Sequence, residues 1–325
     1  MNCNDKVRPL YILKILTQNT DEDHYLTTAQ ISALLKENYN EEAHRITIKK
    51  DIQLLNKLGY NIDEYRGTQN QYRFKGRQFE LAEMKMIIDA IASAKFIPEA
   101  ESRRLIKKIS AMTSKKKADE LKRNVVSDRG KMENKNIYKI VNVINDAINQ
   151  KKKICFRKVE YNIRKERIFH NKGEEYTFSP YSLVWDGDNY YVVGWSDKHQ
   201  GIGSHRVDRI ADIPEILDEP ARKQPLYFRL PEYLNATMHM NIAPVREVEL
   251  LCDNSVINAV VDKFGPKVRV AKEGESSFRV YQEVAAGKVF YDWVFGFEGK
   301  VKIAGPEDVK RVYSNMLKRA LGSTL

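Results

Sequence analysis

The spacing of apolar residues changes abruptly at Lys153, and this change limits the possible folds more than any other feature of the chain. From residue 79 to about residue 150 apolar side chains recur at helical intervals, with a break at Pro98. After Lys153 come short runs of β-branched and aromatic residues, punctuated by glycines such as Gly173 and Gly201. A chain of 325 residues exceeds what one hydrophobic core usually organises, so the sequence predicts a multidomain α+β protein.

Residues 1–76 predict three helices followed by a hairpin. Pro9 confines the start of the first helix to about that residue, and a threonine at Thr27 or Thr28 caps the second helix, AQISALLKE. The third helix lies in RITIKKDIQLLNKLGY and ends at Gly59, which acts as a C-terminal cap. The segment NIDEYRGTQNQYRF then predicts two short strands around residues 67–70. Helix, helix, helix and hairpin is the order of a winged helix-turn-helix.

The third helix combines an inward apolar stripe with a polar face that suits DNA. Ile48, Ile52 and Leu55 recur at helical spacing and point inward. Lysines can meet phosphates or guanine edges, and a glutamine amide matches an adenine edge, so the other face is a candidate for the major groove. A solvated helix face is the alternative for an isolated basic helix, but the preceding helix and the following hairpin favour DNA. The side chains on or near that outward face are Ile46, Lys49, Lys50, Gln53 and Lys57.

Two arginines of the hairpin are further candidates for DNA contact. Arg66 and Arg73 are predicted to flank the tip, where they would grip a minor groove or the backbone. The same residues are equally well explained as exposed arginines that contact no DNA.

The net charge suits a polyanionic partner without identifying one. Formal charge is +11 and the isoelectric point is about 9.3. Residues 1–76 carry 11 basic and 10 acidic side chains, whereas residues 77–153 carry 19 and 10. Because most of the excess lies in the second block, DNA binding by the first block depends on local arrangement rather than on its overall charge.

The cysteines and the apolar runs predict a cytoplasmic protein. The three cysteines, Cys3, Cys155 and Cys252, are far apart and odd in number, so neither a disulfide framework nor a CxxC site is expected. No apolar run reaches about 18 residues, and the first residues lack the pattern of a secretion signal.

The second half of the chain predicts a small β-barrel and an α/β tail. The five short strands of the barrel are expected in KICFRKVEY, ERIFH, EEYTFSPYSLVW, NYYVVGWS and SHRVDRI. From VREVELLCD onward the order is strand, helix, strand, strand, strand, helix. Pro306 begins the last helix, and Glu307 and Asp308 suit its dipole.

Signals for catalysis are poor. Around Gly287 and Lys288 a phosphate-cradling loop lacks its first glycine, because Gln282 stands there. The six histidines show no metal-ligand spacing, and no GxSxG nucleophile motif occurs. We therefore expect no enzyme activity, no metal and no cofactor.

Three motifs in the same order resemble WYL-domain transcriptional regulators over nearly the whole chain. The segment HRITIKKDIQLLNKLGY resembles their recognition helix, although His44 replaces the usual serine and Lys50 the usual arginine. FSPYSLVWDGDNYYVVGW followed by HRVDRI resembles the WYL domain, with Tyr190-Tyr191-Val192 at the naming triplet and Gly203 where an arginine is frequent. YDWVFGFEGKVKIAGPEDVKRVYSNML is similar to the extension that follows the domain in many of these proteins.

The resemblance implies a fold, partners and site residues. It implies an N-terminal winged helix-turn-helix, a helical linker, an Sm/SH3-like β-barrel and a C-terminal ferredoxin-like α/β extension, assembled as a homodimer. The barrel's implied role is to bind a nucleic-acid or nucleotide effector. The expected domains are residues 1–76, 77–150, 151–219 and 240–325. The motif match adds His44, Arg45 and Thr47 to the predicted DNA-binding residues Lys49, Lys50, Gln53, Arg66 and Arg73.

Residues of the barrel give the implied effector site a physical basis. Tyr181, Tyr191 and His205 are expected to stack on a base or hydrogen-bond to it. Arg206 and Arg209 are expected to hold phosphate, and in a regular strand they would point to opposite sides. The alternative is structural, with Tyr190, Tyr191 and Trp195 in the barrel core and Asp208 paired with an arginine.

The leading hypothesis is therefore a sequence-specific, double-stranded DNA-binding regulator, a repressor or an activator, controlled by its effector. The rival is an RNA- or single-strand-binding accessory protein without sequence-specific duplex recognition.

Overall fold

The computed structural model describes residues 3–123, 125, 131, 134, 136–236 and 243–322. The chain divides into two compact units, Met1–Lys135 and Asn136–Leu325. Mixed helices and antiparallel sheets confirm the α+β class. The first residues of the predicted C-terminal extension, 240–242, lie outside the described residues. Among the helices that are described, none is both long and apolar enough to cross a bilayer.

The first unit begins with three helices and a three-stranded antiparallel sheet of order β1-β3-β2. Pro9 lies inside the first helix, so the prediction that the helix starts there is wrong. The proline removes only its own backbone hydrogen bond close to the helix start, and the helix continues on both sides. The elements are α1 (Cys3–Asn19), β1 (Leu26–Thr27), α2 (Thr28–Tyr39), α3 (Arg45–Lys57), β2 (Ile62–Arg66) and β3 (Asn70–Phe74).

Local signals explain where α2 and α3 begin and end. Thr27 accepts a hydrogen bond from the Gln30 amide, and the Gln30 side chain accepts one from the Thr27 amide, which forms a capping box. Gly59, just past α3, has a φ of 92°, a conformation that glycine adopts without strain. The predicted stripe of α3 is buried against α1 and α2, because Ile48, Ile52 and Leu55 are at most 3% exposed.

Three further helices complete the first unit: α4 (Leu81–Ser93), α5 (Glu99–Ser110) and α6 (Lys115–Arg123). Met84, Ile88, Ile106 and Leu121 form their common core. Arg77 connects them to α1, because its guanidinium donates to the carbonyls of Thr17, Thr20 and Met112.

The second unit opens with a helix and a five-stranded antiparallel sheet of order β10-β4-β7-β8-β9. The predicted strand ERIFH is not part of this sheet, because its strand β6 pairs only with β5. The fifth strand is instead β10, an edge strand that tolerates Pro220. The elements are α7 (Ile137–Gln150), β4 (Lys152–Arg157), β5 (Val159–Tyr161), β6 (Arg167–Phe169), β7 (Glu175–Asp186), β8 (Asn189–Ser196), β9 (Gly201–Arg206), β10 (Glu215–Pro220) and α8 (Leu230–Ala236).

Both faces of this sheet are covered. On one face, α7 packs Ile140 and Ile144 against Phe178 and Val192. On the other face, Phe228 and the residues of α8 cover Tyr191 and Val193. Alternation along β8 therefore buries successive residues on opposite faces.

The last part of the second unit is a βαββαβ arrangement followed by a helix. Its sheet has the antiparallel order β12-β13-β11-β14, which is the ferredoxin-like order. The helix α10 was not predicted, because KVFYDWVF is short and apolar enough to fit a strand or a helix. The elements are β11 (Val245–Asp253), α9 (Ile257–Phe264), β12 (Arg269–Glu273), β13 (Ser277–Ala285), α10 (Lys288–Phe295), β14 (Val301–Gly305) and α11 (Glu307–Gly322).

Candidate nucleic-acid interface

The outward face of α3 is open to solvent. Lys50 and Gln53 are exposed, and so is Arg45 at the start of the helix. Ile46 is 65% exposed. This face therefore presents charged, amide and apolar groups together.

A groove of about 720 Å³ runs beside this face. The first turns of α2 and α3 form two of its sides, and the β2–β3 turn forms the third. Sequence reasoning did not assign the α2 residues or the turn residues to the site, because only the folded arrangement brings them to α3. Groove residues that carry polar or charged groups include Thr28, Ser32, His44, Arg45, Lys49 and Gln69.

A carboxylate, Glu64, lies at the edge of the same groove. Its Oε1 is 3.7 Å from the Lys49 Nζ and 3.4 Å from the Tyr72 hydroxyl, and it accepts a hydrogen bond from Asn70. Its Oε2 accepts from Arg66 at 3.3 Å. Glu64 thus forms ion pairs with Lys49 and Arg66, two of the predicted DNA-binding residues, in the free protein.

The two arginines of the hairpin occupy different places. Arg66 is exposed beside the β2–β3 turn, as predicted. Arg73 does not flank the tip, because it pairs across the hairpin with Asp63, three positions from the turn. Its guanidinium also lies 5.0 Å from the Tyr25 ring centroid and donates to the Glu22 carbonyl. The cross-strand register, which the sequence alone does not fix, produces this difference.

The five predicted effector residues lie in the five-stranded sheet and the turn after it, but not on one surface. Tyr191 is 6% exposed under Phe228, and the Tyr181 hydroxyl donates to the Lys223 carbonyl at 3.3 Å. Arg206 is the cross-strand partner of Tyr191, so it shares this face. His205 is the partner of Val192 and lies on the opposite face, towards α7.

Arg206 and Arg209 both approach a buried carboxylate. Strand β9 ends at Arg206, and a 3₁₀ turn at Val207–Arg209 replaces the regular strand. Arg206 donates to both oxygens of Asp208, whose side chain is 1% exposed. Arg209 Nε lies 3.8 Å from Asp208, and its guanidinium stacks 4.7 Å from the Tyr161 ring centroid. The alternation expected for a regular strand therefore does not reach Arg209.

His205 is enclosed by aromatic rings. The ring centroids of Phe178, Phe156 and Tyr176 lie 4.8, 5.2 and 5.8 Å from its own. Its Nε2 is buried and has no hydrogen-bond partner among the described residues. Burial and the nearby charge of Lys158 lower the pKa of His205 to about 3, so the imidazole is neutral at physiological pH.

Three side chains of the kinds that bind metals lie close together, but their oxygen atoms are engaged in hydrogen bonds and an ion pair within the protein. Ligand atoms of Asp21, Asp23 and His24 lie within 4.8 Å of one another. Asp21 accepts from the Ser114 hydroxyl at 2.5 Å and lies 2.5 Å from His24 Nδ1, and Asp23 pairs with Lys117. Burial raises the pKa of Asp21, but the hydrogen bonds from Ser114 and His24 outweigh it and lower the pKa overall. These contacts explain the cluster as a link between the α1–β1 connection and α6.

Comparison with known proteins identifies one domain. Residues 139–214 match the WYL domain family, from within α7 to just before β10. No curated protein matches the chain.

Two solved structures are similar to the chain at low identity. Proteasome accessory factor B/C (PafBC) of Arthrobacter aurescens is 15% identical with a TM-score of 0.29, and the alignment covers 95% of this chain and 46% of that chain. A CRISPR Cas-related protein is 12% identical with a TM-score of 0.38, covering 98% of this chain and 84% of that chain. This chain therefore spans about half the length of PafBC.

Proposed function

We propose that the chain is a sequence-specific DNA-binding transcriptional regulator whose WYL domain binds a nucleic-acid or nucleotide effector. In this proposal residues 3–74 form a winged helix-turn-helix, and the chain binds its ligands without catalysing a reaction. The observation that carries the proposal is the exposed face of α3 beside an open groove, with Lys50 and Gln53 directed away from the buried stripe.

The exposed face of α3, the groove beside it and the hairpin suit different parts of duplex DNA. Gln53 and Lys50 have the donors and acceptors that read adenine and guanine edges in a major groove. The start of α2 at Thr28 offers backbone N–H donors that suit phosphate oxygens. Arg66, exposed beside the β2–β3 turn, would contact the DNA backbone next to the half-site.

The proposed regulator is a homodimer that reads two half-sites. The resemblance to WYL regulators implies this assembly. Light scattering should report twice the chain mass of 37.8 kDa. A monomer at micromolar concentration, with or without DNA, would contradict the two-half-site arrangement.

The proposed effector carries phosphate. Arg209 is the stronger candidate for its contact, because its guanidinium is only partly engaged by Asp208 and stacks on Tyr161 at the surface. Arg206 has a second role, because it neutralises a buried carboxylate.

The test replaces the two reading side chains. The probes are DNA fragments that the wild-type protein selects from a random library, compared with unselected duplex of equal length by fluorescence anisotropy. Lys50→Ala/Gln53→Ala should remove most of the preference for the selected fragments, because a good base contact contributes about 1–3 kcal/mol of discrimination. The matched control is Lys288→Ala/Gln282→Ala, which changes the same residue types far along the chain from α3.

The outcomes separate the two classes of function. An unchanged preference in the double variant means that α3 is not the reader. Wild-type protein that binds single strands tightly and selects no duplex sequence supports the accessory-protein class instead.

A further inference from the structure

Four lysines flank the turn between α5 and α6. Lys107 and Lys108 lie in the last turn of α5, and Lys115 and Lys116 lie in the first turn of α6. All four are exposed. Because only residues 111–114 separate the two packed helices, the four residues lie at the same end of the helix pair. We call these residues the lysine corner.

The lysine corner differs from most other basic residues of these helices. Within the described part of the chain, none of its four lysines has a carboxylate within ion-pair distance. The neighbouring cations are neutralised in pairs, mostly three or four residues apart. These pairs are Lys85–Asp89, Arg103–Glu99, Arg104–Glu101, Lys117–Asp23 and Lys122–Asp119.

The stability of the helices explains the positions of only two of the four lysines. Lys107 and Lys108 suit the negative end of the α5 dipole. Lys115 and Lys116 lie at the positive end of the α6 dipole, where cations are unfavourable and no acidic residue is present in the first turn. An anionic partner at the corner would offset this penalty.

Direct contacts attach the lysine corner to the region around α1. Arg77 donates to the Met112 carbonyl at 3.3 Å while holding the carbonyls of Thr17 and Thr20. On the other side of the turn, Ser114 donates to Asp21 at 2.5 Å. The corner therefore lies beside the C-terminal end of α1, in the same unit as α3.

We propose that the lysine corner binds the phosphate backbone of duplex DNA that flanks the sequence read by α3. The inference rests on the proposed function, because it requires that the same unit holds duplex DNA. A unit of this size has a radius of gyration of about 14 Å, so its whole surface lies within about one turn of B-DNA from α3. The contacts are sequence-independent, since lysine meets phosphate as a point charge.

The experiment measures how duplex affinity depends on salt and on duplex length. The variant is Lys107→Gln/Lys108→Gln/Lys115→Gln/Lys116→Gln, and the control neutralises the exposed lysines Lys267, Lys272, Lys300 and Lys302 in the same way. The probes are duplexes of about 15 and about 40 base pairs that carry a sequence selected by the wild-type protein, without or with flanks of roughly one helical turn on each side. Circular dichroism and thermal unfolding establish that all proteins are folded.

Affinity falls as salt rises, and each phosphate contact contributes about −0.9 to the slope of log affinity against log salt. On the long duplex, the slope of the lysine-corner variant should therefore be less negative than that of the wild type by about 3 to 4 per bound chain. On the short duplex, the slopes of wild type and variant should agree. The control should match the wild type on both.

A folded variant with the wild-type slope on the long duplex overturns the lysine corner and leaves the proposed function intact. Equal changes of the salt slope in the variant and the control also overturn it, since such changes would reflect net charge alone. Wild-type protein that binds no duplex at all overturns both proposals.

Discussion

The Arg8 guanidinium of α1 donates a 2.7 Å hydrogen bond from Nε to the Asp51 carboxylate of α3. The two side chains are 9% and 11% exposed, and Glu41 lies 3.6 Å from Arg8 on the other side. This buried pair fixes the orientation of α3 on α1. Asp51 is therefore part of the support of the proposed reading helix rather than of its DNA-facing surface.

Arg8→Met should destabilise the first unit by about 3–5 kcal/mol, because it leaves two buried carboxylates without their cation. Chemical denaturation followed by circular dichroism measures the free energy of unfolding. The control is Lys36→Ala, which breaks an exposed pair with Glu42 and should change the free energy of unfolding far less. Equal stability of Arg8→Met and wild type would show that the pair does not support the helix.

Glu64→Gln should increase affinity for duplex DNA several-fold. The substitution removes the carboxylate that lies near Lys49 and Arg66 and repels phosphate, while the amide keeps a similar shape. Fluorescence anisotropy at low salt measures the effect, which should diminish as salt rises. Asp63→Asn on the same strand is the control, because its partner Arg73 lies away from the turn. A loss of affinity in Glu64→Gln would mean that the carboxylate positions Lys49 for binding.

Arg206→Ala should destabilise the second unit by about 3–5 kcal/mol, because Asp208 would keep a buried charge without its bidentate partner. Arg209→Ala should change the free energy of unfolding by less than about 1 kcal/mol, because its own contact with Asp208 is longer and partly exposed. Urea unfolding of both variants distinguishes the two roles. For a test of phosphate binding, Arg209→Ala is therefore the more informative variant. Comparable losses in both variants would contradict this division.

Stability should fall in mild acid because of His205. Its folded pKa of about 3 lies below the ordinary value of 6.5, so only the unfolded chain takes up a proton as pH falls through 6.5. The folded state then loses stability down to about pH 3. Between pH 7.5 and pH 5.0 the expected loss is about 2 kcal/mol.

His205→Phe removes the titrating group and keeps an aromatic ring among Phe156, Tyr176 and Phe178, so the loss assigned to His205 should disappear in this variant. Urea unfolding followed by tryptophan fluorescence measures it, since Trp185 and Trp195 lie in the same sheet. The same pH dependence in wild type and variant would assign the acid sensitivity to other groups.

Local sequence signals predicted the elements whose stability is local. The stripe of Ile48, Ile52 and Leu55 determined the buried face of α3, and Thr27 with Gln30 formed the expected cap. These features depend on neighbours within about one helical turn, so the sequence carries them directly.

Features that depend on pairing between distant segments were not predictable in the same way. Strand β10 was missed because its acidic residues and Pro220 are atypical of a strand, and pairing with β4 stabilises it. Glu64 was missed as a groove residue because only the fold brings Lys49 of α3 beside it. The bidentate contact of Arg206 with Asp208 depends on the 3₁₀ turn that interrupts the strand.

The cover over one face of the five-stranded sheet has a consequence for any ligand that stacks on Tyr191. Phe228 buries Tyr191 to 6% exposure and lies 6.2 Å from the Tyr181 ring centroid. Such a ligand binds only the fraction of molecules in which Phe228 has left the sheet, so its apparent dissociation constant is the intrinsic value divided by that fraction. With about one molecule in a hundred open, the concentration needed for half-saturation rises about a hundredfold. A phenylalanine that never touches the ligand would thus set the threshold at which the ligand is detected.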